Sequence, residues 1–494
     1  MITSFVAFLT SLVVGAVLTL VVRNRAYAHG WFDQAKSSRK IHARPVPRLG
    51  GVAIVGGFFA PLCALMLVDS GVGTAFFMQD RLALGLFAGG IAIAFLGLYD
   101  DFRGAGARLK FFVQFAVAAG LYALGFRVEV ISTPFGAPIA LGWLAVPFTL
   151  LWIVGVVNAM NLIDGLDGLA GGVAFFAVLP NFLLAFARGD VVLCLVMAAL
   201  GGAVLGFLIF NFNPASIFMG DTGSMFLGFA LAAVSLKTCS KSGTAVSMLV
   251  PLIALGLPIM DTLLAVVRRT ILRRPLFSAD KEHIHHRVMS RMLLSHRTAV
   301  LVLYGVCCLF ALTALGLSYA NGAQSAMLLT AIAVVVMVLM RKLGYLSLAR
   351  AGEVGEARRR NNQLRAVVRD VSDAVGRAGT LAAVWDALRG LLETMDAARI
   401  SLRVDRPRQG GAEAVTFEAS RSAGAALPFE LVLELRHGEA ASLGRLTLTW
   451  CDGRGEVDRD EELALEVLAD AVAKVVSVLQ ARDAADPAKV ITLR

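Results

Sequence analysis

Five short polar clusters interrupt an otherwise apolar chain, and they hold the side chains that could do chemistry. The densest reads Asn-Ala-Met-Asn-Leu-Ile-Asp-Gly-Leu-Asp, with Asn158, Asn161, Asp164 and Asp167 recurring every three residues. If helical, the four share one drifting face. The alternative is a polar loop whose Asn and Asp cap a helix and whose glycine turns the chain. Asp100 and Asp101 close an earlier apolar run, and Asp221 lies in the cluster Gly220-Asp-Thr-Gly. Like charges held together raise one another's pKa unless a cation neutralises them. Five aspartates are hard oxygen ligands that suit Mg2+ or Mn2+, ions that keep waters and bridge to substrate phosphates. Each Asp alone reads as a helix cap or an end residue reaching for water. Five at the edges of apolar runs point to a function. The six cysteines are scattered and show no metal-ligand spacing, so they read as reduced packing residues.

Donors for an anion accompany the acids. Lys40, Arg44 and Arg48 lie in Lys-Ile-His-Ala-Arg-Pro-Val-Pro-Arg-Leu-Gly-Gly, and Arg287 ends the run His283-Ile-His285-His286-Arg287. Such side chains give charge-assisted hydrogen bonds to phosphate oxygens, although basic residues gather on inside loops in any case. With only seven histidines in the chain, three within four residues point to phosphate or sugar binding, or to proton transfer. Asn211 and Asn213 open the cluster that ends at Asp221, whose Gly220-Asp-Thr-Gly turn could offer backbone N–H groups to a phosphate. Asp261 sits near the end of a later apolar run, to pair with an Arg or support the site.

What must position these groups is a membrane. The 494 residues are 57% hydrophobic and 17% charged. Apolar stretches at 4–22, 50–68, 82–98, 111–126, 141–157, 169–187, 191–210, 224–236, 244–266, 299–318 and 324–340 predict about eleven transmembrane helices. The first lacks a positive n-region and reads as a retained span rather than a signal peptide. With the N-terminus outside, the inside loops hold 18 Lys and Arg and the outside loops five, which sets the orientation. Every polar cluster then falls on the cytoplasmic side. Residues 1–340 carry 23 basic against 13 acidic side chains, and residues 341–494 carry 23 of each. The basic excess therefore belongs to the membrane half, which suits a membrane surface or phosphates rather than nucleic acid.

Residues 341–494 predict a soluble α+β domain: helix over 356–399, strands at 399–405, 414–420, 427–436 and 443–450, and a closing helix over 458–480. The order of these elements loosely resembles a GAF-type sensor domain, and no ligand residue carries over. The expected fold is thus a polytopic α-helical membrane domain, 1–340, and a cytoplasmic domain, 341–494, with a regulatory role.

With the motifs in hand, the membrane half closely resembles the polyprenyl-phosphate N-acetylhexosamine-1-phosphate transferases of glycosyltransferase family 4. The residues that carry this are Arg44-Pro-Val-Pro-Arg-Leu-Gly-Gly, Asp100-Asp101, 158–168, 211–224 and His283-Ile-His-His-Arg, in family order. The last has the N-acetylglucosamine-type form rather than the pentapeptide-type form. One departure is that Phe102-Arg103-Gly104 stands where members often carry a further acid. The resemblance implies a UDP-activated amino sugar and polyprenyl phosphate as substrates, UMP as leaving group and Mg2+ as cofactor. It implies Asp221 as principal metal ligand, assisted by Asp164 or Asp167, and Asp100 or Asp101 orienting or deprotonating the lipid phosphate. His283, His285, His286 and Arg287 would hold diphosphate or sugar, Asn211 and Asn213 would shape the nucleotide pocket, and Lys110 would reach a phosphate. It leaves the oligomeric state open, a homodimer included. The competing readings are a transporter, which would show inverted repeats and broken spans at mid-membrane, and a sensor whose output lies in the tail.

Overall fold

The computed structural model describes residues 2–31, 46–65, 67, 71–78, 80–131, 139–240, 248–271, 283–345, 350–408, 411–421, 427–436, 442–454, 457 and 459–485. Lys40 and Arg44 lie outside the described residues. The chain forms two compact units, Met1–Arg268 with Leu276–Ser347, and Arg269–Pro275 with Leu348–Arg494.

The first unit is helical because nearly every apolar stretch is long enough to satisfy its own backbone. Its elements begin with α1 (Ile2–His29), α2 (Gly50–Ala64), α3 (Gly71–Met78), α4 (Asp80–Arg103) and α5 (Ala107–Ala123). A two-residue hairpin follows, β1 (Val130–Ile131) and β2 (Ile139–Ala140), then α6 (Ala145–Ile163), α7 (Leu169–Ala187), α8 (Val191–Asn211) and α9 (Gly220–Ser240). The unit continues with α10 (Leu249–Ala254), α11 (Gly256–Ile271), α12 (Ile284–Met292), α13 (His296–Leu317) and α14 (Gly322–Lys342). Where it is described, each of the eleven apolar stretches is largely helical. Among the described residues, α1, α4, α6, α7, α8, α13 and α14 are the seven long and apolar enough to cross a membrane. The other four stretches appear as α2, α5, α9 and the pair α10–α11.

The spine of this unit is α8, buried on nearly all sides. It packs on α1, α2 and α7. The contact with α1 is close because both faces are small: Ser4, Ala7, Ser11, Gly15 and Thr19 on α1 are buried. A Cβ at Gly202 or Gly206 of α8 would lie 2.2 Å from the Phe8 carbonyl or 2.3 Å from the Leu12 carbonyl. Small residues four apart let membrane helices approach to backbone contact. The other side of α1, with Phe5, Leu9, Val13 and Val17, is exposed as a lipid-facing surface requires. The helix α9 is gripped by α4 and α6. That grip brings the ends of three helices, each carrying an aspartate, into one place.

The second unit comprises α15 (Arg350–Gly376), α16 (Leu381–Arg389), α17 (Leu391–Thr394), β3 (Arg399–Arg408), β4 (Gly411–Ser420), β5 (Phe429–Leu435), β6 (Gly444–Trp450) and α18 (Arg459–Ala485). Its sheet is antiparallel in the order β4-β3-β6-β5. Strand alternation buries Ile400, Leu402 and Val404 and leaves Arg399 and Arg403 outside. The helices supply the rest of the core, Leu465, Val472 and Val476 of α18 among it, and Trp450 Nε1 donates to the Met395 carbonyl at 3.0 Å.

Candidate active site

The two aspartates that end α4 are put to different uses. Asp101 points at the start of α9, where helix geometry leaves backbone N–H groups without partners. It accepts from the N–H of Asp221 at 2.8 Å, the N–H of Thr222 at 3.0 Å and the Thr222 hydroxyl at 2.6 Å. Close approach makes this possible: a Cβ at Gly97 would lie 2.4 Å from the Thr222 Cα. Asp100 instead faces Lys110, on the first turn of α5. The Lys110 ammonium lies 2.6 Å from an oxygen of Asp100 and 2.6 Å from an oxygen of Asp221. Asp100 also accepts from the Ala105 N–H. One lysine thus holds two carboxylates from different helices together.

The 158–168 stretch is half helix and half turn. The helix α6 runs to Ile163, so Asn158 and Asn161 share its last turns while Asp164 caps it and Asp167 lies in the turn. Asn158 donates to Gln114 Oε1 at 2.6 Å and Asn161 to Ser224 Oγ at 3.0 Å, fastening α6 to α5 and to α9. Asp167 is buried, and one of its oxygens accepts from Asn213 Nδ2 at 2.9 Å and the Ala215 N–H at 3.1 Å. Asn211 ties the same two loops, accepting from the Gly168 N–H at 3.0 Å and donating to the Ile217 carbonyl at 2.9 Å. Asn211 and Asn213 therefore shape this wall from within the loops. Asp164 is only partly buried. Desolvation, then the carboxylates of Asp221 and Asp101, push its pKa up to about 7, with Arg48 opposing.

Residues 47–51 and 218–220, from two of the clusters, form one structure. The Phe218 N–H donates to the Pro47 carbonyl at 2.7 Å, and the N–H groups of Gly50 and Gly51 donate to the carbonyls of Phe218 and Met219 at 2.9 and 2.8 Å. Gly220 closes this pairing at φ 71°, where a Cβ would strike the Arg48 carbonyl at 2.2 Å. Only glycine takes that conformation without strain. Arg48 is exposed beside this pairing, close enough to favour the charged form of Asp164.

The histidine cluster reaches the same turn from α12. A Cβ on Gly165 would lie 2.3 Å from His285 Nε2, so the imidazole packs against the backbone beside Asp164. Rings of His283 and His285 stack at 5.6 Å, and those of His285 and His286 meet at 4.4 Å. Burial, reinforced by the neighbouring imidazoles, lowers the pKa of His285 to about 3, so it is neutral at physiological pH. Asp261 supports the cluster, accepting from the Ile284 N–H at 2.8 Å and lying 3.1 Å from His283 Nδ1. Arg287 donates to the Leu343 carbonyl at 3.2 Å and stacks on Tyr345 at 4.1 Å.

The clusters thus converge, as far as they are described: Asp100, Asp101, Lys110 and Asp221 at one corner, Asp164 and His285 at the adjoining turn. Several further side chains position them, Thr222 and Ser224 from within the 211–224 motif and the others from outside any motif. Gln114 is buried in α5 beside Asn158. Thr222 and Ser224 engage Asp101 and Asn161. His296 Nε2 accepts from the Asp167 N–H at 2.9 Å, and the Tyr304 hydroxyl donates to the Gly168 carbonyl at 2.6 Å. Among those outside the motifs, Gln114 carries a signal in the sequence, a polar side chain amid the apolar run 111–126.

Among the described residues, no three His, Cys, Asp or Glu side chains converge tightly enough to hold a metal ion by themselves. The donors nevertheless fit a hard cation that takes one or two carboxylates and draws its remaining oxygens from water and phosphate. Asp221 and Asp100 already hold a cationic group between them, the Lys110 ammonium.

Such a centre, set at the ends of membrane helices, defines a membrane-embedded enzyme built to handle anionic groups. Residues 83–239 match the model of glycosyl transferase family 4. A probable undecaprenyl-phosphate N-acetylglucosaminyl 1-phosphate transferase of Bacillus subtilis is 40% identical over 322 residues, 65% of this chain and 87% of that protein. A decaprenyl-phosphate N-acetylglucosaminephosphotransferase of Mycolicibacterium smegmatis is 34% identical over 357 residues, 68% of this chain and 85% of that one. A phospho-N-acetylmuramoyl-pentapeptide-transferase of Shouchella clausii is 36% identical over 206 residues, covering 39% and 61%. The chain belongs to glycosyl transferase family 4.

Proposed function

We propose that the protein transfers an N-acetylhexosamine-1-phosphate from a UDP-sugar to undecaprenyl or another polyprenyl phosphate, releasing UMP and initiating a cell-envelope glycan. The site would face the cytoplasm of a bacterial inner membrane, with the N-terminus outside and the C-terminal unit inside. The basic inside loops support that orientation. A lipid-phosphate oxygen attacks the sugar-proximal phosphorus, a new P–O bond forms, and the bond to UMP breaks. Both reactants are anionic, so the site must screen their repulsion.

The observation that carries this reading is the bridge from Asp100 through Lys110 to Asp221. It marks a place built to balance negative charge with a cation. Mg2+ or Mn2+, when bound, would polarise the diphosphate, and Asp221 with Asp164 would hold it. Asp167 is the weaker candidate, because one of its oxygens is engaged by Asn213 and Ala215. Asp100 would orient the lipid phosphate, with Lys110 beside it, while Asp101 would fix the start of α9. Arg48, Arg44, Lys40 and Arg287 would contribute positive charge around the phosphates. His283, His285 and His286 would contact sugar or diphosphate, and Asn158 and Asn161 would hold α6 in register. The exposed apolar face of α4, with Phe95, Tyr99 and Phe102, lies next to Asp100 in the chain and would suit an isoprenoid chain.

The test is UMP release by purified protein supplied with undecaprenyl phosphate, Mg2+ and a panel of UDP-sugars. Turnover with one amino sugar, abolished by EDTA, is expected. No turnover from folded protein would refute the transferase reading. The C-terminal unit, 341–494 in the sequence, is proposed as a GAF-like regulatory domain. Truncation after Ser347 should then leave turnover in place and change only its control. Loss of turnover with the membrane unit still folded would oppose that division of labour.

A further inference from the structure

Asp261 is buried in α11, at 1% exposure, and the reaction above gives it no role. Its two oxygens do two things. One accepts the Ile284 N–H at 2.8 Å, which starts α12. The other lies 3.1 Å from His283 Nδ1. That same oxygen is 3.9 Å from His285 Nδ1, beyond hydrogen-bond reach. The His285 Nδ1 is buried with no hydrogen-bond partner.

We infer that Asp261 is a positioning residue for the transfer reaction: it fixes His283 in the Nδ1–H tautomer and sets the ring stack that presses His285 onto Gly165. The chemistry follows from what a carboxylate can do. A carboxylate oxygen accepts, so the ring bonded to it must carry a proton on Nδ1. In the singly protonated ring His283 Nε2 is then an acceptor, suited to an N–H or O–H of the sugar or base rather than to a phosphate oxygen. The stack His283–His285, nearly parallel at 5°, carries the placement from Asp261 to the Asp164 turn. The carboxylate–imidazole arrangement orients a ring in the same way that outer partners orient metal-bound histidines.

This inference rests on the transfer reading, and the test separates the two. Asp261→Asn keeps an oxygen to accept the Ile284 N–H and puts an NH2 group toward His283. The ring is then driven to the Nε2–H tautomer. In full-length protein labelled with [15N]histidine, the His283 signal, assigned by its loss in His283→Asn, should change tautomer in Asp261→Asn. Turnover (kcat/KM for the UDP-sugar) should fall about 10- to 100-fold. Thermal stability should stay near that of the unmodified protein. The Asp261→Asn and His283→Asn losses should be strongly non-additive. Asp261→Glu, which keeps the acceptor, should retain more turnover than Asp261→Asn. An unchanged tautomer would overturn the inference, as would full activity in Asp261→Asn or a loss that merely tracks unfolding. If the unmodified protein releases no UMP, the transfer reading fails while the 15N spectra still decide the tautomer.

Discussion

The pair Asp100-Asp101 and the pair Asp164 and Asp167 lie on different helix ends, yet each divides its labour in the same way. At the end of α4, Asp101 takes two backbone N–H groups and a hydroxyl of α9, while Asp100 meets Lys110. At the turn after α6, Asp167 takes an amide and a backbone N–H of the 211–219 loop, while Asp164 bears the field of the other acids. In both pairs one carboxylate builds the wall and the other faces the charge. The difference lies in the cation. Asp100 has one in the structure, whereas at Asp164 the charge of Arg48 works against three acids. An acid in that position holds its proton up to the neutral range, where a bound cation would favour its release.

Asp221 bears on both pairs, so its loss should have the largest effect. Asp221→Asn should cut UMP release by about a hundred- to a thousandfold, with little change in melting temperature. A residual rate close to that of the unmodified protein would leave the corner without its proposed ligand. Next in size, Asp101→Ala should destabilise the protein by about 2–4 kcal/mol, because the N–H groups that start α9 lose their acceptor. Asp100→Ala should cost less stability and more turnover. Thermal unfolding in detergent beside UMP release checks both, and equal effects on both readouts would erase the distinction.

A smaller effect sharpens the second pair. The pKa of Asp164 is about 7 in the folded protein against an ordinary 3.8. Between these values the folded state binds the proton more tightly than the unfolded state does. Metal-free stability contributed by this group is therefore fully present below about pH 4 and is lost as pH rises towards 7. Melting temperatures across this window should show a downward slope that Asp164→Asn removes and that saturating Mg2+ flattens. A slope unaltered by the substitution would place the titration elsewhere.

Much of this was legible in the chain. Apolar runs announced helices but overstated the spans: against about eleven expected, among the described residues seven helices are long and apolar enough to cross a membrane, while 50–68 gives the 15-residue α2 and 244–266 the shorter α10 and α11. The strands of the second unit announced themselves by alternation, as in Ile400, Leu402 and Val404. The roles within the site were less accessible. Asp100 and Asp101 are the same residue at adjacent positions, and only the placement of α9 tells them apart. Asp164 and Asp167 share a motif, and a helix that stops at Ile163 separates them. His296 and Tyr304 lie over a hundred residues from the turn they hold, in a helix that spacing alone marks as packing. Arg287 shows the converse. Its sequence neighbours suggested a phosphate donor, and tertiary packing gives it to Leu343 and Tyr345 as well.

The most direct measurement is Mn2+ binding by electron paramagnetic resonance to the detergent-purified protein and four variants: Asp221→Asn, Asp164→Asn, Asp101→Asn and Asp167→Asn. Melting temperatures would be recorded alongside. Asp221→Asn and Asp164→Asn should weaken Mn2+ binding while the protein keeps its stability. Asp101→Asn and Asp167→Asn should lower stability, with the surviving folded protein still binding the ion. Intact binding in Asp221→Asn and Asp164→Asn, or its loss from stable Asp101→Asn or Asp167→Asn, would contradict the division between wall and charge.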